Sequence, residues 1–137
     1  METREVVLEL LRRVAGGDPE EIAELYSEEI AWKLDWPPGD YASTVPWIRQ
    51  RTTRSGIAEH FRLIAEHHVG EQSSAEVTSV LVDGPDAIVI GELHNVARPT
   101  GRSYDAAFAL HLTVEDGLIT RHHVYEDSLA VMQAFED

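Results

Sequence analysis

The chain has 137 residues, 43% of them hydrophobic, with 25 acidic side chains against 11 basic ones and a formal charge of −14. This is the length of one domain, and burying roughly 70% of its unfolded surface is enough for a core without staples. The acidic excess disfavours nucleic-acid and anionic membrane partners, and the absence of cysteine removes disulfides and thiolate chemistry.

The N-terminal third has a helical period. Val6, Val7, Leu10, Leu11 and Val14 form one apolar stripe, with Thr3 placed as N-cap. Gly16-Gly17 breaks that helix, and Asp18-Pro19-Glu20-Glu21 restarts it with a capping aspartate and a proline at the first position. Ile22 and Leu25 face the core from this short second helix. From Glu29 to Trp36 the period becomes two, with Ile30, Trp32, Leu34 and Trp36 alternating against Ala31, Lys33 and Asp35, which predicts a strand.

Pro37-Pro38-Gly39-Asp40 ends the strand and opens a long loop carrying Tyr41, Val45, Trp47 and Ile48. Loops of this length in a compact domain are usually functional or mobile. A third helix starts at Ser55-Gly56, with Ile57, Phe61 and Ile64 on one face, and runs to about His68. Strands then follow over residues 77–82, 87–98, 104–114 and 118–127, separated by turns at Asp83-Gly84-Pro85-Asp86, Pro99-Thr100-Gly101-Arg102 and Glu115-Asp116-Gly117. Ser128 to Phe135 closes the chain as a short helix. Helices first and an antiparallel meander after them predict a single α+β domain over residues 1–137, a cone-shaped curved antiparallel sheet packed against three N-terminal helices.

Five segments, in this order and spacing, carry a resemblance. They are Ala15-Gly16-Gly17-Asp18, Ile30-Ala31-Trp32-Lys33-Leu34, Gly56-Ile57-Ala58-Glu59-His60-Phe61, Asp116-Gly117-Leu118-Ile119-Thr120 and Tyr125-Glu126-Asp127-Ser128-Leu129. Together they resemble the nuclear transport factor two-like superfamily, with its ketosteroid isomerase-like and SnoaL-like proteins. The resemblance implies a cone with an apolar pocket, on a scaffold that hosts isomerases, cyclases, dehydratases, hydrolases and non-catalytic members. It places a steroid isomerase's general base near Asp35. That enzyme's oxyanion-hole tyrosine and aspartate would fall near Leu10 and near Ala109 or Leu110, none of which can donate. In the epoxide hydrolase and cyclase branches the last-strand acid falls at Val124, which supplies none, with His122 in place of a tryptophan.

Seven histidines are the chain's most unusual chemical feature: His60, His67, His68, His94, His111, His122 and His123. Imidazole is suited to proton transfer near neutrality. His94, His111 and His122 each fall mid-strand, where neighbouring strands bring such positions together, and Asp35 enters from the sheet's end. These four are the candidate acid–base residues, and Trp32, Trp36, Tyr41, Trp47 and Phe61 are the candidate walls for a flat apolar ligand. The plainer reading makes the histidines hydrogen-bonded sheet residues or part of a convex face buried in a dimer.

No short-spaced ligand motif points to a metal, and the expected chemistry is cofactor-independent. The last long strand alternates Phe108, Leu110, Leu112 and Val114 with Ala109, His111 and Thr113, so both of its faces need cover, and a homodimer is expected. Met1-Glu2-Thr3-Arg4-Glu5 has neither the basic nor the apolar region of a signal peptide, and a cytoplasmic location is expected. The expected function is acid–base chemistry on a small apolar molecule. The alternative is a non-catalytic ligand-binding or dimerisation module of the same fold.

Overall fold

The computed structural model describes residues 2–136. Helix α1 spans Thr3–Gly16 and α2 spans Pro19–Ala23; strand β1 is Tyr26–Leu34 and helix α3 is Arg54–His67. Strands β2 (Ser74–Asp83), β3 (Asp86–Val96), β4 (Ser103–Glu115) and β5 (Leu118–Glu126) follow, and α4 (Ser128–Phe135) closes the chain. None of these helices is long and apolar enough to cross a membrane.

Local chemistry accounts for most boundaries. Asp18 caps α2 by accepting from the Glu20 and Glu21 amides, with Pro19 at the first helical position. Thr53 caps α3 by accepting from the Gly56 amide at 3.2 Å. Thr3 is not the cap of α1. Glu2 holds that place in a reciprocal box with Glu5, and the Thr3 hydroxyl donates instead to the Gly84 carbonyl at 2.8 Å, tying α1 to the β2–β3 turn. β1 begins three residues earlier than its alternation indicates, because Tyr26 is fully buried and pairs with Ile119.

The five strands lie in the order β1-β5-β4-β3-β2. The β2-to-β5 meander is antiparallel as expected, but the sheet is mixed rather than wholly antiparallel, because β1, separated from β5 by the long loop, α3 and the meander, joins it in parallel. Register shifts in the β1–β5, β2–β3 and β4–β5 pairs add local twist and bend the sheet. The inner face carries Tyr26, Trp32, Val89, Leu112, Val114 and Ile119, which pack against Val6, Val7 and Leu10 of α1, Ile22 of α2 and Ile57 of α3. A second core, built from Val45, Trp47, Ala97, Tyr104, Val131 and Phe135, anchors the long loop and α4 to the other end.

Gly91 pairs with Val77 beside the β2–β3 register shift, where there is no room for a side chain. A Cβ there would meet the Glu76 carbonyl oxygen at 2.3 Å and the Phe108 ring at 3.0 Å. Backbone cannot yield as a flexible side chain can, so Gly91→Ala should cost about 2 kcal/mol or more. Urea unfolding measures this, and wild-type stability in the variant would contradict the close approach.

Candidate functional site

Register decides what the interior contains. Parallel pairing sets Trp32 of β1 beside His122 of β5, and the shift near Thr113 and Val114 turns His122, Val124 and Glu126 toward the helices. His122 is 2% exposed. Its ring stacks on Trp32 at 4.4 Å with 10° between planes, and its Nδ1 lies 2.7 Å from the Tyr26 hydroxyl. His60, one turn along α3 from Ile57, meets Trp32 edge-on at 4.6 Å and stands 5.9 Å from His122. Phe61 completes the cluster at 6.3 Å from His122.

Burial sets the protonation of this cluster. Desolvation pushes His122 down to about 3. It drives His60 well below the usual imidazole range, helped by the nearby His122 and Arg51 charges. Both rings are therefore neutral at pH 7. Burial also raises Tyr26, which stays a phenol. A phenol is a stronger donor than a neutral imidazole, so we assign the Tyr26 proton to the bond with Nδ1, which puts the imidazole proton on Nε2.

Trp32 Nε1, His60 Nδ1 and His122 Nε2 are buried with no hydrogen-bond partner among the described residues. Each such group costs about 1–3 kcal/mol. Three of them lie on adjoining rings around His122.

Arg51 closes one side of the cluster. It is 6% exposed, and its guanidinium carbon lies 5.8 Å over the Trp32 ring. Its Nη1 donates to the Trp47 and Arg49 carbonyls at 2.8 and 3.0 Å, and its Nη2 donates to Glu59 at 3.1 Å. In the other direction the inward-facing Leu34, Phe61, Phe108, Leu110, Val124 and Glu126 are partly buried. Glu126 accepts from Trp36 Nε1 at 2.8 Å, its carboxyl pushed up by burial, and Trp36 meets Tyr41 edge-on at 5.1 Å.

The four acid–base candidates read from the sequence do not converge. Only His122 faces the interior. His94 points from the outer face, where its Nδ1 meets Asp105 at 2.8 Å and Asp105 raises its pKa. His111 also faces outward, with Nε2 2.9 Å from Asp86. Asp35 lies beyond the end of β1 with an exposed side chain, 3.9 Å from Lys33 and 4.0 Å from His123. The physical reason is pleat parity. β3 turns Ala87, Val89 and Gly91 inward, so His94 falls on the opposite face, and β4 does the same to His111 by turning Leu110 and Leu112 inward.

Of the candidate wall residues, Trp32 and Phe61 sit in the cluster, and Trp36 sits against Glu126 with Tyr41 beside it. Trp47 is buried in the second core against Phe135 and His68. Tyr26, His60, Arg51 and Glu126 were not among the site candidates read from the sequence. His60 alone had a signal there, its place three residues after Ile57 on the apolar side of a helix.

A profile of the SnoaL-like domain matches residues 7–122. The chain belongs to the SnoaL-like family. A nuclear transport factor two-like protein from Burkholderia thailandensis superposes on this SnoaL-like chain with a TM-score of 0.84 at 20% identity, covering 100% of this chain and 99% of that one. A candidate isomerase from Bacillus subtilis gives 0.78 at 19% identity, with 98% and 96% covered. A ketosteroid isomerase-like protein from Catenulispora acidiphila, solved in complex with trimethylamine, gives 0.76 at 13% identity, with 97% and 93% covered. Likeness at these identities establishes the fold. No curated protein sequence matches the chain significantly.

The buried neutral histidines make stability depend on pH. Unfolded, His60 and His122 titrate near 6.5 and bind protons that the folded chain excludes, so their contribution is present above that pH and is lost on acidification. Each should cost about 1.4 kcal/mol between pH 7.5 and 5.5, about 2.7 kcal/mol together. Buried His68, also lowered by desolvation, adds to the loss, and exposed His94 acts with the opposite sign but is screened by solvent. Urea midpoints across that range should show the drop, and His122→Gln should remove about 1.4 kcal/mol of it. A flat profile would mean that the two rings are not buried neutral.

Proposed function

We propose that this SnoaL-like chain is a cofactor-independent acid–base enzyme acting on a small apolar molecule that carries a carbonyl or hydroxyl. The supporting observation is His122, a neutral buried imidazole whose Nδ1 is held by Tyr26 while its Nε2 has no partner. An Nε2–H held in an apolar interior donates to a substrate oxygen and stabilises the charge that develops on it. His60, neutral and unpartnered at Nδ1, is placed to take a proton from the neighbouring carbon and return it elsewhere, which is an isomerisation. The fold also carries a candidate isomerase, the Bacillus protein, which agrees with this class. In this reading the ligand enters past the partly buried Phe108, Val124 and Glu126.

A specific observation favours the non-catalytic alternative. The rings of Trp32, His60 and Phe61 already pack around His122, which is how a filled core looks. Deuterium exchange at carbons next to the carbonyl of cyclic enones, followed by NMR, separates the two readings. The enzyme should exceed the buffer rate, and His122→Gln should lower exchange by on the order of 100-fold or more with folding intact. Binding of the enones without exchange would establish the module.

We also propose that the chain pairs with itself through the outer face of the sheet. Leu81 (58%), Ile90 (37%) and Tyr125 (42%) are exposed on that face. Five strands about 4.8 Å apart and about ten residues long present about 800 Å², the area each partner of a stable complex buries. Sedimentation at micromolar concentration should give a dimer that Leu81→Lys with Ile90→Lys converts to monomer. A wild-type monomer would refute the pairing.

A further inference from the structure

The sign of charge reverses locally in one segment. Residues 46–58 hold Arg49, Arg51 and Arg54 and no acid, in a chain where acids outnumber bases 25 to 11. In the fold this segment forms one wall of a cleft of about 590 Å³ beside the first turns of α3. Arg49, Arg51 and Arg62 line the cleft together with the Thr52, Thr53 and Ser55 hydroxyls, and Glu20 and Glu59 are its two acids.

The two acids occupy the arginines unequally. Glu59 Oε1 lies 3.1 Å from Arg51 Nη2 and 3.6 Å from Arg49 Nη1, so one carboxylate spans two guanidinium groups. Glu20 pairs with Arg62 at 2.9 Å, but its side chain is 73% exposed, and such a pair is worth little. Arg51 is fixed by the Trp47 and Arg49 carbonyls, its side chain is only 3% exposed, and its Nε–H meets no acceptor among the described residues. Three positive groups thus face two carboxylates, one of which is loosely held. A buried donor of the most anion-selective side chain stands unused beside them.

We propose that this cleft binds the phosphate of a small phosphorylated molecule. Arg49, Arg51 and Arg62 form the clamp, and the Glu59 carboxylate is an internal stand-in that the incoming phosphate displaces. A phosphate carries more charge and more acceptor oxygens than the single carboxylate now bridging Arg49 and Arg51, and guanidinium forks match its geometry. The start of α3 adds favourable dipole and hydroxyl contacts. The cleft volume exceeds that of a phosphate alone and suits a ligand of drug size. The site shares only Arg51 with the histidine cluster and is independent of the chemistry proposed there.

Calorimetric titration with pyrophosphate tests the proposal on the full chain. Wild type should bind saturably with a dissociation constant on the order of 1 mM or below. Arg49→Ala with Arg62→Ala, both at partly exposed positions, should weaken binding on the order of 10-fold or more while the thermal unfolding transition stays cooperative. Glu59→Gln keeps an acceptor for Arg51 but removes the competing charge, and should tighten binding several-fold; a merely structural Glu59 would not. Absence of saturation by about 10 mM, unchanged binding in the double arginine variant, or weaker binding in Glu59→Gln would each overturn the proposal. Equal affinity for citrate would overturn the phosphate assignment in favour of a carboxylate ligand.

Discussion

The parallel pairing of β1 with β5 is the constraint on which the interior depends. It sets Trp32 level with His122, and the irregularity between Thr113 and Val114 decides that His122 turns inward. A shift of one residue would send His122 to the outer face and bring His123 into the core. His123 on its present face stacks on Tyr125 at 4.1 Å, within a row of outward-facing polar and aromatic groups. One sheet therefore carries two adjacent histidines on opposite faces, His122 fully buried in the core and His123 largely buried beside Asp35, both held below the usual imidazole range chiefly by desolvation.

Keeping imidazoles neutral in a dry interior has consequences for chemistry. A neutral His122 cannot supply a charge, but it can donate a hydrogen bond without paying for reorganisation when charge develops on a ligand. Tyr26 occupies Nδ1 and so fixes the tautomer and orientation of the ring. A comparable pair at the opposite end, His68 with Tyr104 at 2.6 Å, is fully partnered: His68 Nδ1 also bonds the Ile64 carbonyl, and Asn95 donates to the Tyr104 oxygen. The contrast is informative. The same two residue types form a closed structural network in the second core and leave an open valence in the first.

Charge is likewise segregated by place. The acids that give the chain its −14 lie mainly on exposed positions, and several of them hold outer-face histidines, as Asp105 holds His94 and Asp86 holds His111. Arginines gather instead where the long loop runs into α3, and Arg51 is the hinge between two regions. Its guanidinium covers Trp32 on one side and reaches Glu59 on the other, so the cleft and the histidine cluster share one buried cation.

Much of the architecture was legible in the sequence because local rules set it. The Asp18-Pro19 start of α2, the turn at Asp116-Gly117, the apolar stripe of α1 and the four-strand meander each follow from capping, positive-φ and periodicity requirements that act over a few residues. Membership in the SnoaL-like family was legible for the same reason, since short signals in a fixed order carry it. The contents of the site were not. Alternation shows that a strand has two faces but not which one meets the helices, and that choice put His94, His111 and Asp35 outside while leaving His122 within. Tyr26 and His60 join His122 across 96 and 62 residues of chain, and Arg51 reaches Trp32 only because the loop folds back over it. Such meetings depend on register, bulges and loop path, which only the packed tertiary structure decides.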